Sequence, residues 1–329
     1  MRTIQSMFGI FLLMVTLVSR AQSVLPEFLD NLQEDAALPE GLQSTRSTVF
    51  LKMESMAPVD SVEWYSLASE FHKGLAALHI DAVAYLRWRD LKAGFDATSS
   101  YLEGLADREI SQIIILEVQQ GSYHIYIVPT DVEKEGLMDT GDNVWHISGN
   151  SLENAISNMT LNVQRANLEL GNFLISESPE FFIDTPIFKK NRFESFQPDL
   201  KLDKLAVPLM HSPDPENIQN SEDQELRSIM RQQYPFEYQL VGNTMSEELM
   251  KKAGYQYVLR YLYAEESTLL TLLDYQITPE NPSMFGYKYY FKHLITGDIY
   301  LGENWDSRPG WQEALNVHLH NMRKYLNQE

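Results

Sequence analysis

The chain has 329 residues and no cysteine. That excludes disulfides, thiolate metal sites, cysteine nucleophiles and lipidation through cysteine. Long hydrophobic runs are scarce: the longest, Met7 to Val18, is 12 residues, short of the roughly 20 needed to cross a bilayer as a helix. Positive charge is also under-represented, with 26 Lys and Arg against 46 Asp and Glu and a net charge of −20. The acidic residues are dispersed. Such a surface repels phosphate, so nucleic acid and anionic membranes are excluded as expected partners. No G-x-G-x-x-G, P-loop, G-x-S-x-G or H-E-x-x-H pattern occurs, which leaves nucleotide, esterase and zincin chemistry without support.

What is present begins with a leader. Arg2, the apolar run and Ser19-Arg20-Ala21 have the charge, core and small-residue site of a cleaved signal peptide. Residues 1–21 are read as the signal, with the cut between Ala21 and Gln22 and no transmembrane segment afterwards. An exported chain with no disulfide points to a periplasm, or to secretion. Residues 22–46, polar and acidic with Pro26, Pro39 and Gly41, read as a loosely held lead-in.

The remainder reads as α+β, in two tandem βαβαβββα modules with mixed sheets and helices mainly on one face. The first spans 47–170. Asp60 and Glu63 form a capping-box pair ahead of a helix from Ser61 to His79. Strands are expected at 47–53, 82–87, 113–118, 123–128 and 144–147, with helices at 98–106 and 152–167. Residues 171–200, aromatic and punctuated by proline, are too apolar for a free linker and are expected to pack across both modules. The second module, 201–329, repeats the order: strands at 205–210, 236–241, 255–263, 287–295 and 299–302, and helices at 222–233, 246–253 and from Trp311 to Leu326. An insertion from Glu265 to Phe285 carries Leu269 to Leu273, read as a further strand or strand extension.

Within the second module, Lys251 to Leu262 reads KKAGYQYVLRYL, and Phe291 to Trp305 reads FKHLITGDIYLGENW. A helix ending at Ala253-Gly254, an immediate strand and a Thr296-Gly297 turn resemble the amino-terminal domain of the TolB periplasmic protein and related domains of curli-secretion and outer-membrane lipoproteins. Gly254, Tyr257, Val258, Leu259, Thr296 and Gly297 carry the resemblance over about twenty positions. The aspartate usual before the Thr-Gly turn is replaced by Leu294-Ile295. The resemblance implies a non-catalytic envelope domain used for assembly or docking, with envelope or outer-membrane proteins as partners.

Catalytic candidates are few. Leu137 to Gly141 reads LMDTG, as around an aspartic-protease carboxylate, and makes Asp139 the alternative reading as a hydrolase. That chemistry needs two such aspartates sharing a proton, and Asp142 adds a charge where the protease has a small residue. His318 and His320 lie about 200° apart on a helix, so only His318 joins the apolar face and a metal pair is not expected. His211-Ser212-Pro213-Asp214 reads as a strand exit. No catalytic residue, metal or cofactor is therefore assigned.

Aromatics are the richest signal. Tyr255, Tyr257, Tyr261 and Tyr263 alternate on one strand, and Tyr287, Tyr289, Phe291 and His293 on another. The tyrosine face is read as core and the opposite face, with Gln256, Arg260, Lys288 and Lys292, as solvent-facing. Tyr300, Trp305 and Trp145, near hairpin exits, are the expected exposed docking residues of a binding or scaffold component of a cell-envelope assembly.

Overall fold

A computed structural model describes residues 33–34, 37–53, 61–130, 143–182, 187 and 191–327. The first unit comprises β2 (Arg46–Met53), α1 (Ser61–Ala77), β3 (Asp81–Arg87), α2 (Trp88–Leu91), α3 (Phe95–Ala106), β4 (Ile110–Gln119), β5 (Ser122–Pro129), β6 (Asn143–Gly149) and α4 (Leu152–Ala166). Ahead of them a two-residue strand, β1 (Gln33–Glu34), lies against β6. Local chemistry sets several of the boundaries. Ser151 accepts a hydrogen bond from the Asn154 amide and starts α4, which ends at Asn167 in a left-handed conformation. Gln120 and Gly121 both have positive φ and close the two-residue turn between β4 and β5. The Asp60 half of the expected capping pair, like residues 1–21 and Asp139, lies outside the described residues.

The second unit comprises β9 (Leu205–Pro208), α5 (Ser221–Gln233), β10 (Tyr238–Val241), α6 (Glu247–Lys252), β11 (Tyr257–Glu265), α7 (Glu266–Leu272), β12 (Phe285–His293), β13 (Ile299–Tyr300) and α8 (Trp311–Leu326). Five strands in the first unit lie in the order β6-β5-β4-β2-β3, and five in the second in the order β13-β12-β11-β9-β10. In both, the first three strands of the chain pair in parallel and the last two add as antiparallel hairpins. The two units thus share strand order and strand sense, and their element order agrees apart from α2, which adds to the first unit, and α7, which interrupts the second between β11 and β12.

The segment between the units contributes to both sheets. Glu180–Phe182 forms β7 beside β3, and Arg192–Phe193 forms β8 beside β13. Phe196 and Leu200 are buried in the second unit's core. The lead-in is anchored rather than loose from Ala37 onward: Leu42 is fully buried beneath the first sheet, and the Thr45 hydroxyl donates to the Gly41 carbonyl.

The outer face of each sheet carries two amphipathic helices. Trp64, Phe71 and Leu75 of α1 pack with Met159 and Val163 of α4 on Val49, Ile114 and Ile125. Where α1 and α4 cross, a Cβ on Gly74 would stand 2.7 Å from the Ile156 side chain. Leu226 and Met230 of α5 pack with Leu315, Leu319 and Met322 of α8 on the second sheet. Tyr257, Tyr289 and Phe291 lie in that core with Tyr261 and Tyr287 packed against it, so most of the tyrosine face is core, as expected, while Tyr263 at its end is 41 % exposed.

The opposite face is where the expectation fails. Arg260 is 2 % exposed and Lys288 is fully buried, because the inner faces of the two sheets close on each other. Phe50, Ala97 and Ile113 of the first unit share one apolar cluster with Leu262, Leu269 and Tyr290 of the second. The leucine run 269–273 is helical, not a strand: α7 fills this seam, and Leu269, Leu270, Leu272 and Leu273 are all buried. So short a run, apolar except for Thr271, has no period to distinguish helix from strand.

The α2–α3 corner is the first unit's main contribution to the seam. The Tyr263 amide donates to the Ala93 carbonyl at 2.7 Å. A Cβ on Gly94 would lie 2.6 Å from the Tyr261 carbonyl oxygen. Asp96, 4 % exposed, accepts from the Tyr290 hydroxyl at 2.6 Å and from Lys292 Nζ at 2.5 Å. Lys292 also donates to Glu247 at 3.0 Å, which accepts from Arg260 at 3.1 Å, and the Arg260 guanidinium lies 4.1 Å over the Phe95 ring. Burial works against the Lys292 ammonium, but Asp96 and Glu247 outweigh it and raise its pKa.

The backbone approach at Gly94 yields a stability test. Gly94→Ala should cost about 1–3 kcal/mol, the range for overpacking a close contact. Urea unfolding should show the loss, whereas Gly121→Ala, with nothing within 4 Å of its added Cβ, should lose less, through its positive φ alone.

Candidate functional site

A five-stranded core has two edges, so the two units present four. Three are covered by added strands: β1 lies beside β6, β7 beside β3 and β8 beside β13, each in parallel. The fourth, the outer edge of β10, has no added strand among the described residues. It is the counterpart of the β3 edge that β7 covers.

The register shows which backbone groups this leaves. Tyr238 pairs with Leu205 and Leu240 with Val207. The Leu205 amide donates to the Glu237 carbonyl and the Leu209 amide to the Val241 carbonyl. Residues 237, 239 and 241 therefore direct their backbone at β9, while the N–H and C=O of Tyr238 and Leu240 point outward. An exposed row of such groups is a template for another strand.

Beside this edge lies an open groove of about 540 Å³, walled by Pro213 and Pro215, Leu240 and Val241, and Leu249 and Tyr255. Its shape is fixed by local constraints. A Cβ on Gly242 would fall 1.9 Å from the Pro213 carbonyl oxygen, so only glycine lets the 213 loop cross there. Ser246 caps α6 by accepting from the Leu249 amide, and the helix stops before Gly254 at φ 87°. Met250 anchors α6 in a small core with Val241 and Tyr255, leaving Leu249 53 % exposed at the rim. Lys204 Nζ sits 4.7 Å over the Tyr255 ring.

The residues expected from the sequence to dock lie elsewhere. Tyr300 and Trp145 are buried, at 6 % and 5 % exposure. The Tyr300 ring stacks on Phe193 of β8, and Trp145 faces the α1–α4 core. Trp305 is half-buried against the seam, and its indole N–H donates to Glu266 at 2.7 Å. The expectation of exposed rings fails because an added strand, a helix layer and the seam cover them. Little in the sequence pointed to the β10 groove: a four-residue strand carries too short a pattern to show which of its edges is paired.

The buried charged groups behave as structure. Lys288, fully buried, donates to the Leu301 carbonyl at 2.8 Å and is ion-paired with Asp306. Asp306 also bonds His318 Nδ1 at 3.1 Å and accepts from Asn321 at 3.2 Å. His318 is buried and hydrogen-bonded, as its helical position predicted, and His320 is exposed. Desolvation works against the Asp306 carboxylate, yet Lys288 and His318 hold its pKa well below the usual range. Burial lowers the pKa of His318, with Asp306 offsetting part of the effect. Ser212 donates to Asp223 at 2.6 Å while His211 pairs with Glu222, so serine and histidine have different carboxylate partners. Asp223 also accepts the Met210 and Ser212 amides and clamps the loop after β9.

One pairing joins residues far apart in sequence. His124 Nδ1 lies 3.1 Å from His146 Nε2, with Tyr126 stacked on His146 at 4.4 Å. The β5–β6 pairing creates this contact. No group of three or more His, Asp or Glu residues suited to a metal occurs among the described residues.

No protein-family model matches the chain, no curated protein matches its sequence, and no solved structure matches it.

The ion pair makes a measurable stability prediction. Asp306→Asn should cost about 3–5 kcal/mol, because it strands a buried ammonium. Asp306 has a lower pKa folded than unfolded, so its contribution is present above pH ~4 and fades as acid protonates it. The difference between parent and variant in chemical denaturation should therefore be full at neutral pH and shrink below pH ~4.

Proposed function

We propose that the chain is an exported, non-catalytic binding component of a bacterial cell-envelope assembly, and that it docks its partner at β10. The β10 edge, which no added strand covers among the described residues, lies beside an apolar groove and carries this reading, since the other three edges of the same architecture are covered. The signal-like leader, the cysteine-free acidic composition and the resemblance to TolB-type amino-terminal domains support the compartment and the partner class. The described polar clusters are engaged in holding loops and the seam, which favours binding over catalysis.

Two measurements test it. Protein recovered from the exported fraction should begin at Gln22, and an intact Met1 there would contradict export by cleavage. Crosslinking in envelope extract should capture a reproducible partner with the parent and markedly less with Leu249→Arg. At an exposed rim position that substitution should change stability by no more than ~0.5 kcal/mol. Equal capture by parent and variant would move docking away from this groove, and no reproducible partner would overturn the reading.

A further inference from the structure

Resting on that docking site, we infer that β10 receives an extended segment of a partner protein as a fourth added strand, parallel to β10 and carrying an acidic residue beside an aromatic one. The three covered edges supply the argument. Each cap is two or three residues long and parallel to the strand it covers. The outward N–H and C=O groups of Tyr238 and Leu240 offer the same ladder over a similar length. Strand addition of this kind draws affinity from main-chain bonds and specificity from alternate side chains entering pockets.

The caps also show what side chains the architecture takes. In β7, Phe181 packs at 5.5 Å from Tyr85 and 4.6 Å from Tyr65, and the neighbouring Glu180 is ion-paired with Arg108. In β8, Phe193 stacks on Tyr300 at 5.3 Å. The β10 groove offers matching parts. Tyr255 forms its wall, and Lys204 lies over that ring with no carboxylate paired to it among the described residues. In a chain of net charge −20, a cation placed on an apolar groove selects an acidic neighbour for the incoming ring.

The test uses the full-length mature protein and, as probe, a synthetic peptide of this chain's own cap, Ser178 to Asp184 (SPEFFID). Titration should be saturable, and hydrogen exchange should slow at the Tyr238 and Leu240 amides. Affinity should fall tenfold or more for peptides N-methylated at Phe181 or at Phe182, whichever faces β10, and several-fold for the Glu180→Ala peptide or the Lys204→Ala protein. Leu240→Pro removes an outward N–H without touching the β9 ladder, a position where an edge strand tolerates proline, and it should abolish binding. If that variant fails to fold, the N-methylated peptides decide. No saturable binding, binding indifferent to N-methylation, or protection elsewhere would overturn the inference. A concentration-dependent dimer of the parent that Leu240→Pro abolishes would overturn the partner assignment and make the occupant a second copy. An envelope partner that Leu249→Arg loses and Leu240→Pro retains would leave the docking reading standing and overturn strand addition alone.

Discussion

Asp96 is the contact on which the arrangement of the two units turns. It belongs to the first unit, yet its carboxylate takes the Tyr290 hydroxyl and the Lys292 ammonium of the second. A carboxylate buried this deeply is tolerated only when hydrogen-bonded and paired. Removing the second unit would leave Asp96, Phe95 and the apolar corner around Leu91 without cover, and removing the first would expose Arg260, Lys292 and Leu262. Each sheet is buried on both faces, so the chain meets the demand twice: helices α1, α4, α5 and α8 cover the outer faces, and the units cover each other's inner faces.

This constraint also explains the odd chemistry of the inner face. Lysines and an arginine alternate with tyrosines on β11 and β12, a pattern that normally means one wet face. Here the cations are drawn into the interior by carboxylates supplied from other parts of the chain: Asp96 from α3, Glu247 from α6 and Asp306 from the loop beyond β13. The long stems of such side chains pack as apolar matter while their heads are paired. The charges orient the units as well as joining them, because a shifted register would leave a buried ion unpaired.

With both faces consumed by packing, surface for recognition is left at sheet edges. Sheets extended by short parallel strands close three of them, and β10 keeps its ladder groups directed outward beside a groove lined by proline, leucine and tyrosine. The docking proposal rests on that asymmetry between otherwise equivalent units, not on any exposed aromatic ring.

Local pattern was enough to read most elements. The periodic helices α1, α4, α5 and α8, the hairpin joining β4 to β5, the recurrence of five strands with a closing helix in each unit and the buried His318 all follow from spacing and turn chemistry, which act over a few residues. The sequence by itself also determined the absence of disulfides and the acidic balance. Only the tertiary structure decided the fate of the second faces. Arg260 and Lys288 look exposed until Glu247 and Asp306, respectively 13 and 18 residues away, are brought beside them. Leu269 to Leu273 has no period until the seam encloses it as a helix, and Trp145 and Tyr300 look free until α1 and β8 arrive. Burial is a property of what else occupies the space, and no window of sequence contains that information.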